Sequence, residues 1–291
     1  MTHARLDGRA VRDLLAPQRA TEVVDVGANP IDGPAPYAAM LAAGLCRVTG
    51  FEPQADALAA LQARQTPNEH YLPHAVADGA MHTLHVCRGS GMTSLLAPDA
   101  ATLALFAGLV PLAEVLAREP VQTHRLDELA EIDAIDLLKL DVQGSELMVL
   151  QGGRTKLAQA VAVHTEVSFV TLYQGQPPFG EIDRELRRQG FMPHCFDQIK
   201  QGPIAPCVVE GDQGRGLRQL LEADIVYVRD IARPAPMSDE QLRQLALIAH
   251  CVYGSFDLAL RCIVLLEARH AMAASSQQRY AALLNTPRST G

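Results

Sequence analysis

The chain has 291 residues, 48% of them hydrophobic and 20% charged, a balance that suits a globular protein with a sizeable core. A formal charge of −8, no tryptophan and 4% aromatic residues argue against a protein built to grip nucleic-acid backbones or stack unpaired bases. No window approaches the roughly 18 uncharged apolar residues of a membrane span, and the first twelve residues carry charges where a secretory signal has an apolar run.

Residues 21–26 (TEVVDV) form a first strand that runs into the turn residues Gly27, Ala28, Asn29 and Pro30. A helix over 36–43 stops at Gly44, a second strand covers 46–52, and Pro53 opens a helix over 55–64. A third strand is expected over 71–77, ending at Asp78-Gly79, and another over 82–87. The Ala- and Leu-rich stretch 98–118 reads as helix interrupted by Pro111. Residues 135–142 (IDLLKLDV) make a near-continuous apolar run, as a central parallel strand requires. Strands over 161–168, 191–196 and 223–228, with a charged helix over 180–189, complete the pattern. Residues 200–216 read as loop. Short β-branched runs alternating with amphipathic stretches imply an α/β fold, a parallel sheet with helices on both faces.

Beyond Asp230 the character changes. Pro234 and Pro236 form a linker, and Ser238 caps a helix with Gln241 at the capping-box position. Apolar residues from Leu242 to Leu266 then recur at 3–4 spacing, broken at Gly254-Ser255, and the residues after Ser275 read as a polar, frayed tail. The stripe must be covered either by the chain's own sheet or by a second copy. The proline-containing linker favours a homodimer through residues 238–270. The six cysteines (Cys46, Cys87, Cys195, Cys207, Cys251 and Cys262) are scattered, none at C-x-x-C spacing, which reads as reduced thiols in a cytoplasmic protein.

Three strand ends carry chemistry. Gly27 follows Asp25 at the carboxyl end of strand 1, where open sheets bind ligands and glycine permits close approach. About 25 residues further on, Glu52 ends strand 2, placed to accept both hydroxyls of a ribose. Without a G-x-G-x-x-G set there is little to hold a pyrophosphate, so an adenosine cofactor without one fits better than a nicotinamide dinucleotide. Asp78 is placed either to accept an adenine amino group or to close a plain Asp-Gly turn. The block Lys139-Leu140-Asp141-Val142-Gln143-Gly144-Ser145-Glu146 sets Asp141 at another strand end, with Ser145 placed to cap the next helix. Lys139 and Asp141 share a face. His164 and Glu166 share the next strand's face. His194 and Cys195 point to opposite faces, as do His82 and His85, so no metal site is expected.

The segments VDVGAN, GFEP, AVADG, RLDEL, LLKLDVQGSELMVLQGG and HTEVSFVTLYQGQPPFGEIDRELRRQGF resemble, in order and spacing, the FkbM-type methyltransferases over roughly residues 21–230. The resemblance implies a class I S-adenosylmethionine fold, Rossmann-like, with a seven-stranded, mostly parallel sheet; with the residue pattern beyond Asp230, this divides the chain into a methyltransferase domain over 1–233 and a helical extension over 234–291. It implies methylation of a hydroxyl, often on a sugar or polyketide. By position, Asp25, Gly27 and Asn29 would contact the methionine end of S-adenosylmethionine, Glu52 the ribose, Asp78 the adenine, and Asp141 would face the methyl group. The chain departs from the family at residues 30–34, where a proline-bounded loop intervenes, and at Gln143, where the family commonly has Glu. Asp141 is the first choice for the base that takes the hydroxyl proton, then His164 and Glu166. A nicotinamide-dependent oxidoreductase and a non-enzymatic scaffold are the alternative readings.

Overall fold

The computed structural model describes residues 8–29, 33–212 and 215–285; Pro30, Ile31 and Asp32 of the departing loop lie outside them. The elements in chain order are α1 (Gly8–Leu15), β1 (Thr21–Val26), α2 (Ala38–Ala42), β2 (Cys46–Phe51), α3 (Ala55–Arg64), β3 (Glu69–Leu72), β4 (Ala75–Ala77) and β5 (Met81–Cys87). There follow α4 (Ala100–Leu103), β6 (Val115–Arg125), β7 (Leu137–Leu140), α5 (Glu146–Gly152), α6 (Arg154–Leu157), β8 (Ala162–Ser168) and α7 (Phe179–Arg188). The chain continues through β9 (Phe191–Gly202), β10 (Gln219–Arg229), α8 (Asp239–Cys251), α9 (Phe256–Ala268) and α10 (Ser276–Leu284).

Seven strands form one sheet in the order β3-β2-β1-β7-β8-β10-β9. The first five are parallel, and β10 runs antiparallel to both β8 and β9. This is the class I Rossmann-like arrangement expected. The chain reverses its order of strand addition at β1, so a crevice opens where β1 and β7 end side by side. Alternation along each strand separates two cores. Val24, Leu138, Val163 and Ile225 face α5, α7 and their loops. Val23, Leu137, Ala162 and Val226 face α1, α8 and α9.

Three expectations need correction. The strand over 71–77 is broken between Leu72 and Ala75, where Pro73 has no N–H for a ladder. Its second half, β4, joins β6 and β5 in a separate three-stranded sheet. The helix over 98–118 shrinks to α4, which ends at Leu103, well before Pro111, and β6, starting at Val115, finds open edges on both β4 and β5. Those partners override the local Ala/Leu preference. Residues 200–202 belong to β9 rather than to a loop.

The stripe over 238–270 is covered by the chain's own sheet. Leu242, Leu245, Ala246, Ile263 and Leu266 are fully buried in one cluster with Val23, Leu137 and Val226. The apolar surface that argued for a homodimer is therefore consumed within one chain, and the helices are a layer of the sheet domain. Ser238 and Gln241 form the expected capping box. Gly254, at φ +62, makes the turn that separates α8 from α9. The tail after Ser275 is not frayed up to residue 285. It forms α10, whose fully buried Tyr280 hydroxyl lies 2.9 Å from His250 Nδ1. No helix of the described residues is long and apolar enough to cross a membrane.

Candidate active site at the carboxyl ends of the strands

A cavity of about 1160 Å³ opens over the ends of β1, β2 and β7–β10. It exceeds the roughly 300–1,000 Å³ typical of a single small-molecule site, which leaves room for two ligands.

One half of it is built on β1 and β2. Asp25 is 2% exposed, accepts a hydrogen bond from the Tyr37 hydroxyl at 2.5 Å, and sits 3.5 Å from Lys139 Nζ. Burial pushes its carboxyl above the usual range, although Lys139 and Tyr37 pull the other way. Its Oδ1 is buried and receives no hydrogen bond. Gly27 has φ +78, and a Cβ there would stand 1.8 Å from the Asp141 carbonyl oxygen. Glycine is thus needed so that the exit of β1 can pass against the exit of β7, and Gly27 lines the cavity as well. Asn29 lines the same half. Glu52, directly after β2, is 2% exposed, accepts a hydrogen bond from Gln54 N at 2.8 Å, and is likewise pushed up by burial.

Asp78 does not join them. It closes the turn before β5, accepting from Ala80 N at 2.9 Å and lying 2.8 Å from His82 Nε2. The Ala80 amide is the main reason its carboxyl is held below the usual range. The adenine assignment of Asp78 is therefore corrected to the Asp-Gly turn, and Ala75 and Val76 line the cavity at this edge instead.

The other half is polar and charged. Strand register places Asp25, Lys139 and His164 in a row across β1, β7 and β8. Lys139 Nζ donates to the Gly27 carbonyl at 3.2 Å and lies 3.6 Å from Asp141 Oδ2. Burial disfavours its charge, but Asp25 and Asp141 outweigh that and hold the amine above its usual range. Asp141 Oδ1 accepts from Gln143 Nε2 at 2.8 Å. The same Nε2 donates to Glu166 at 2.9 Å, and Tyr173 donates to Gln143 Oε1 at 3.0 Å. Gln143 makes this bridge from a left-handed backbone, φ +53.

His164 lines the cavity, and burial pushes its pKa down to about 4. Its Nδ1 lies 3.4 Å from the Tyr253 hydroxyl. Glu166 is not part of the lining. It lies behind the wall, 3% exposed, between Gln143 and Lys200 Nζ (3.3 Å), with its carboxyl pushed up first by burial and then by Glu222. That removes it from the groups able to touch an acceptor. Asp224 takes its place, lining the cavity with its pKa raised to about 6, mainly by burial.

The turn after β7 holds the wall together. Ser145 does not cap α5; Glu146 instead accepts from Gly144 N at 3.0 Å and Val142 N at 3.1 Å. Ser94 donates to the Gln143 carbonyl at 2.6 Å, tying the 91–94 loop to this turn over the cavity. Sequence reasoning missed Tyr37, Asp224, Lys200 and Tyr253. For Asp224 a signal existed: in an antiparallel strand the starting residues, not the last, reach this edge.

The family model described as methyltransferase FkbM domain matches residues 25–193, more than half of the chain. Over 65 residues the chain is 42% identical to the 2-O-methyltransferase NoeI of Sinorhizobium fredii, a match that spans 21% of this chain and 27% of that one. The magnesium protoporphyrin IX methyltransferase of Synechocystis PCC 6803, solved with S-adenosylmethionine, aligns over 77% of this chain and 79% of that one, at 10% identity and a TM-score of 0.38. The FkbM methyltransferase of Methylobacillus flagellatus KT aligns over 72% of this chain and 43% of that one, at 14% identity and a TM-score of 0.36.

Proposed function

Since the chain belongs to the FkbM methyltransferase family, we propose that it transfers the methyl group of S-adenosylmethionine to a hydroxyl of a sugar-like acceptor. The observation that carries the reading is the meeting, in one cavity, of Asp25 and Glu52 with Asp141 and His164. The residues fit the cofactor: the wall holds two buried carboxylates, Asp25, whose Oδ1 faces the Lys139 ammonium at 3.5 Å without a closer hydrogen bond, and Glu52. Glu52 would accept the ribose hydroxyls, while Asp25 and Asn29 would hold the methionine end. When bound, the cofactor supplies an electrophilic methyl group on a sulfonium. The chain's part is to position the acceptor, worth up to roughly 7–11 kcal/mol in favourable cases, and to take its proton. Asp141, whose Oδ2 lies 3.6 Å from Lys139 Nζ, would take it. His164, neutral at pH 7 because burial holds it near 4, is the second group able to accept the proton.

The acceptor half holds Asp141, Asp197, Glu222 and Asp224 on its lining. Its two lysines are already engaged, Lys139 by Asp25 and Asp141, Lys200 by Glu166 and Glu222. Such a wall accepts hydrogen bonds from a neutral polyol and repels a phosphorylated or carboxylated one. The name of the 2-O-methyltransferase relative supports a hydroxyl as the methylated group. Calorimetry with S-adenosylhomocysteine, followed by transfer of a labelled methyl group to a panel of neutral and phosphorylated sugars, tests this. Heat from NAD and none from S-adenosylhomocysteine would overturn it.

A further inference from the structure

Exposed apolar side chains are normal when scattered and informative when contiguous. Among the described residues, nine of the ten large apolar side chains left exposed lie on residues 105–116 or 196–217, Met81 being the tenth. The two segments touch: Ala205 N donates to the Leu105 carbonyl at 2.8 Å, and Gly202 packs against Phe106 and Leu221. Both also border the cavity, the first through Leu109 and Leu112, the second through Asp197 and Lys200.

The apolar surface continues inward. Met92, Leu172 and Leu221 line the cavity and belong to the same packed cluster as Phe106. Leu112 bridges inside and outside, lining the cavity while 43% exposed; Leu105 and Leu116 are 47% and 56% exposed. An apolar track therefore leads from beside the charged wall to the rim. With a cofactor in the β1–β2 half, this track lies on the acceptor's path to solvent.

From this continuity, and resting on the methyltransferase reading above, we infer that the acceptor is an amphiphile. Its hydroxylated head seats at Asp141 and His164, and an alkyl or acyl chain leaves over Leu109 and Leu112 between the two segments. Charge favours this occupant over an anionic bilayer, which attracts basic residues. The chain carries −8, and Asp197 and Glu222 stand at this end of the cavity. A second copy seated on the track would close the acceptor's route.

The test titrates protein saturated with S-adenosylhomocysteine with n-alkyl β-D-glucosides, methyl through octyl, each below its micelle-forming concentration. Affinity is expected to rise about three- to fourfold per added methylene that the track buries. In the double variant Leu105→Ser with Leu112→Ser the rise per methylene should fall to about twofold or less for the methylenes that cross these two side chains. Both side chains are exposed, and an unchanged thermal midpoint verifies the variant's fold. A flat series in the unmodified protein, or an undiminished rise in the variant, overturns the inference. So does cosedimentation with phosphatidylcholine–phosphatidylglycerol vesicles alongside a flat series, which assigns the patch to a bilayer, or self-association that the double variant abolishes. Absence of heat from S-adenosylhomocysteine itself would instead overturn the methyltransferase reading.

Discussion

The two ends of one sheet face do opposite work with the same strands. On β1 the inward residues are Val23 and then Asp25, on β7 Leu137 and then Lys139, on β8 Ala162 and then His164. On antiparallel β10 the order reverses, Asp224 before Val226 and Val228. The first member of each parallel pair is sealed under α8 and α9; the second borders the cavity. Two residues, one pleat repeat, separate stability from chemistry without changing face. The boundary is the turn between α8 and α9, where Tyr253 lies 3.4 Å from His164. Helices cover the apolar half and stop where charge begins.

If that division holds, substitutions on one side of the turn should change rate and spare stability, and the reverse on the other. The largest effect is expected from Asp141→Asn, which keeps the shape and the hydrogen bond from Gln143 while removing the charge. A general base is worth about 10²–10⁴-fold, so turnover should fall by about that with cofactor affinity little changed. Normal turnover would make Asp141 structural and transfer the role to His164. On the sealed side, Leu245→Ala empties a fully buried site in the cluster beneath β1 and β7. It should cost about 2–5 kcal/mol in urea denaturation, with turnover per folded molecule unchanged. A loss of less than about 1 kcal/mol would mean that the helices are a loose attachment rather than a layer of the core.

The sealed half shows what the sequence could and could not disclose. Central strands β1, β7 and β8 were legible because a strand buried on both faces is a continuous apolar run. The stripe on α8 and α9 was equally legible, but periodicity states only that a face is covered, not by what. β6 was hidden because its residues alternate between half-buried and exposed, and its partners β4 and β5 are not adjacent to it in sequence. At the site, Asp25, Gly27, Asn29, Glu52, Asp141 and His164 could be picked out because parallel strands all end at the same edge. Glu166 follows the same rule yet is screened by Gln143 and Lys200. Only the tertiary arrangement discloses that contact.

A smaller effect tests the cofactor end. Glu52→Ala should weaken S-adenosylhomocysteine binding at least about tenfold, since hydrogen bonds to a charged group are worth roughly 1.5–3 kcal/mol. Calorimetry with an unchanged dissociation constant would remove Glu52 from the ribose position. Stability should change little, because the Gln54 amide can turn to water once the carboxylate is gone.

A difference in pH dependence between the two sides is the subtlest effect to read, because the two slopes oppose each other. His250, in the helical layer, is buried with Nε2 lacking any partner, and burial pushes its pKa down to about 4 from an ordinary 6.5. Between those values the unfolded chain binds a proton that the folded chain refuses, so stability falls as pH drops from about 6.5 to about 4. Glu146, under the active-site turn, is raised by burial to about 7 from 4.5. There the folded chain holds the proton, and stability falls instead as pH rises from about 4.5 to about 7. Each group contributes a slope of at most about 1.4 kcal/mol per pH unit. Urea denaturation between pH 4.5 and 7.5 should therefore show a shallower acid loss in His250→Gln, where Gln can keep a bond to Tyr280. Glu146→Gln should remove part of the opposite slope. Parent and His250→Gln curves that stay parallel across this range would mean that His250 is not the group that makes the helical layer acid-sensitive.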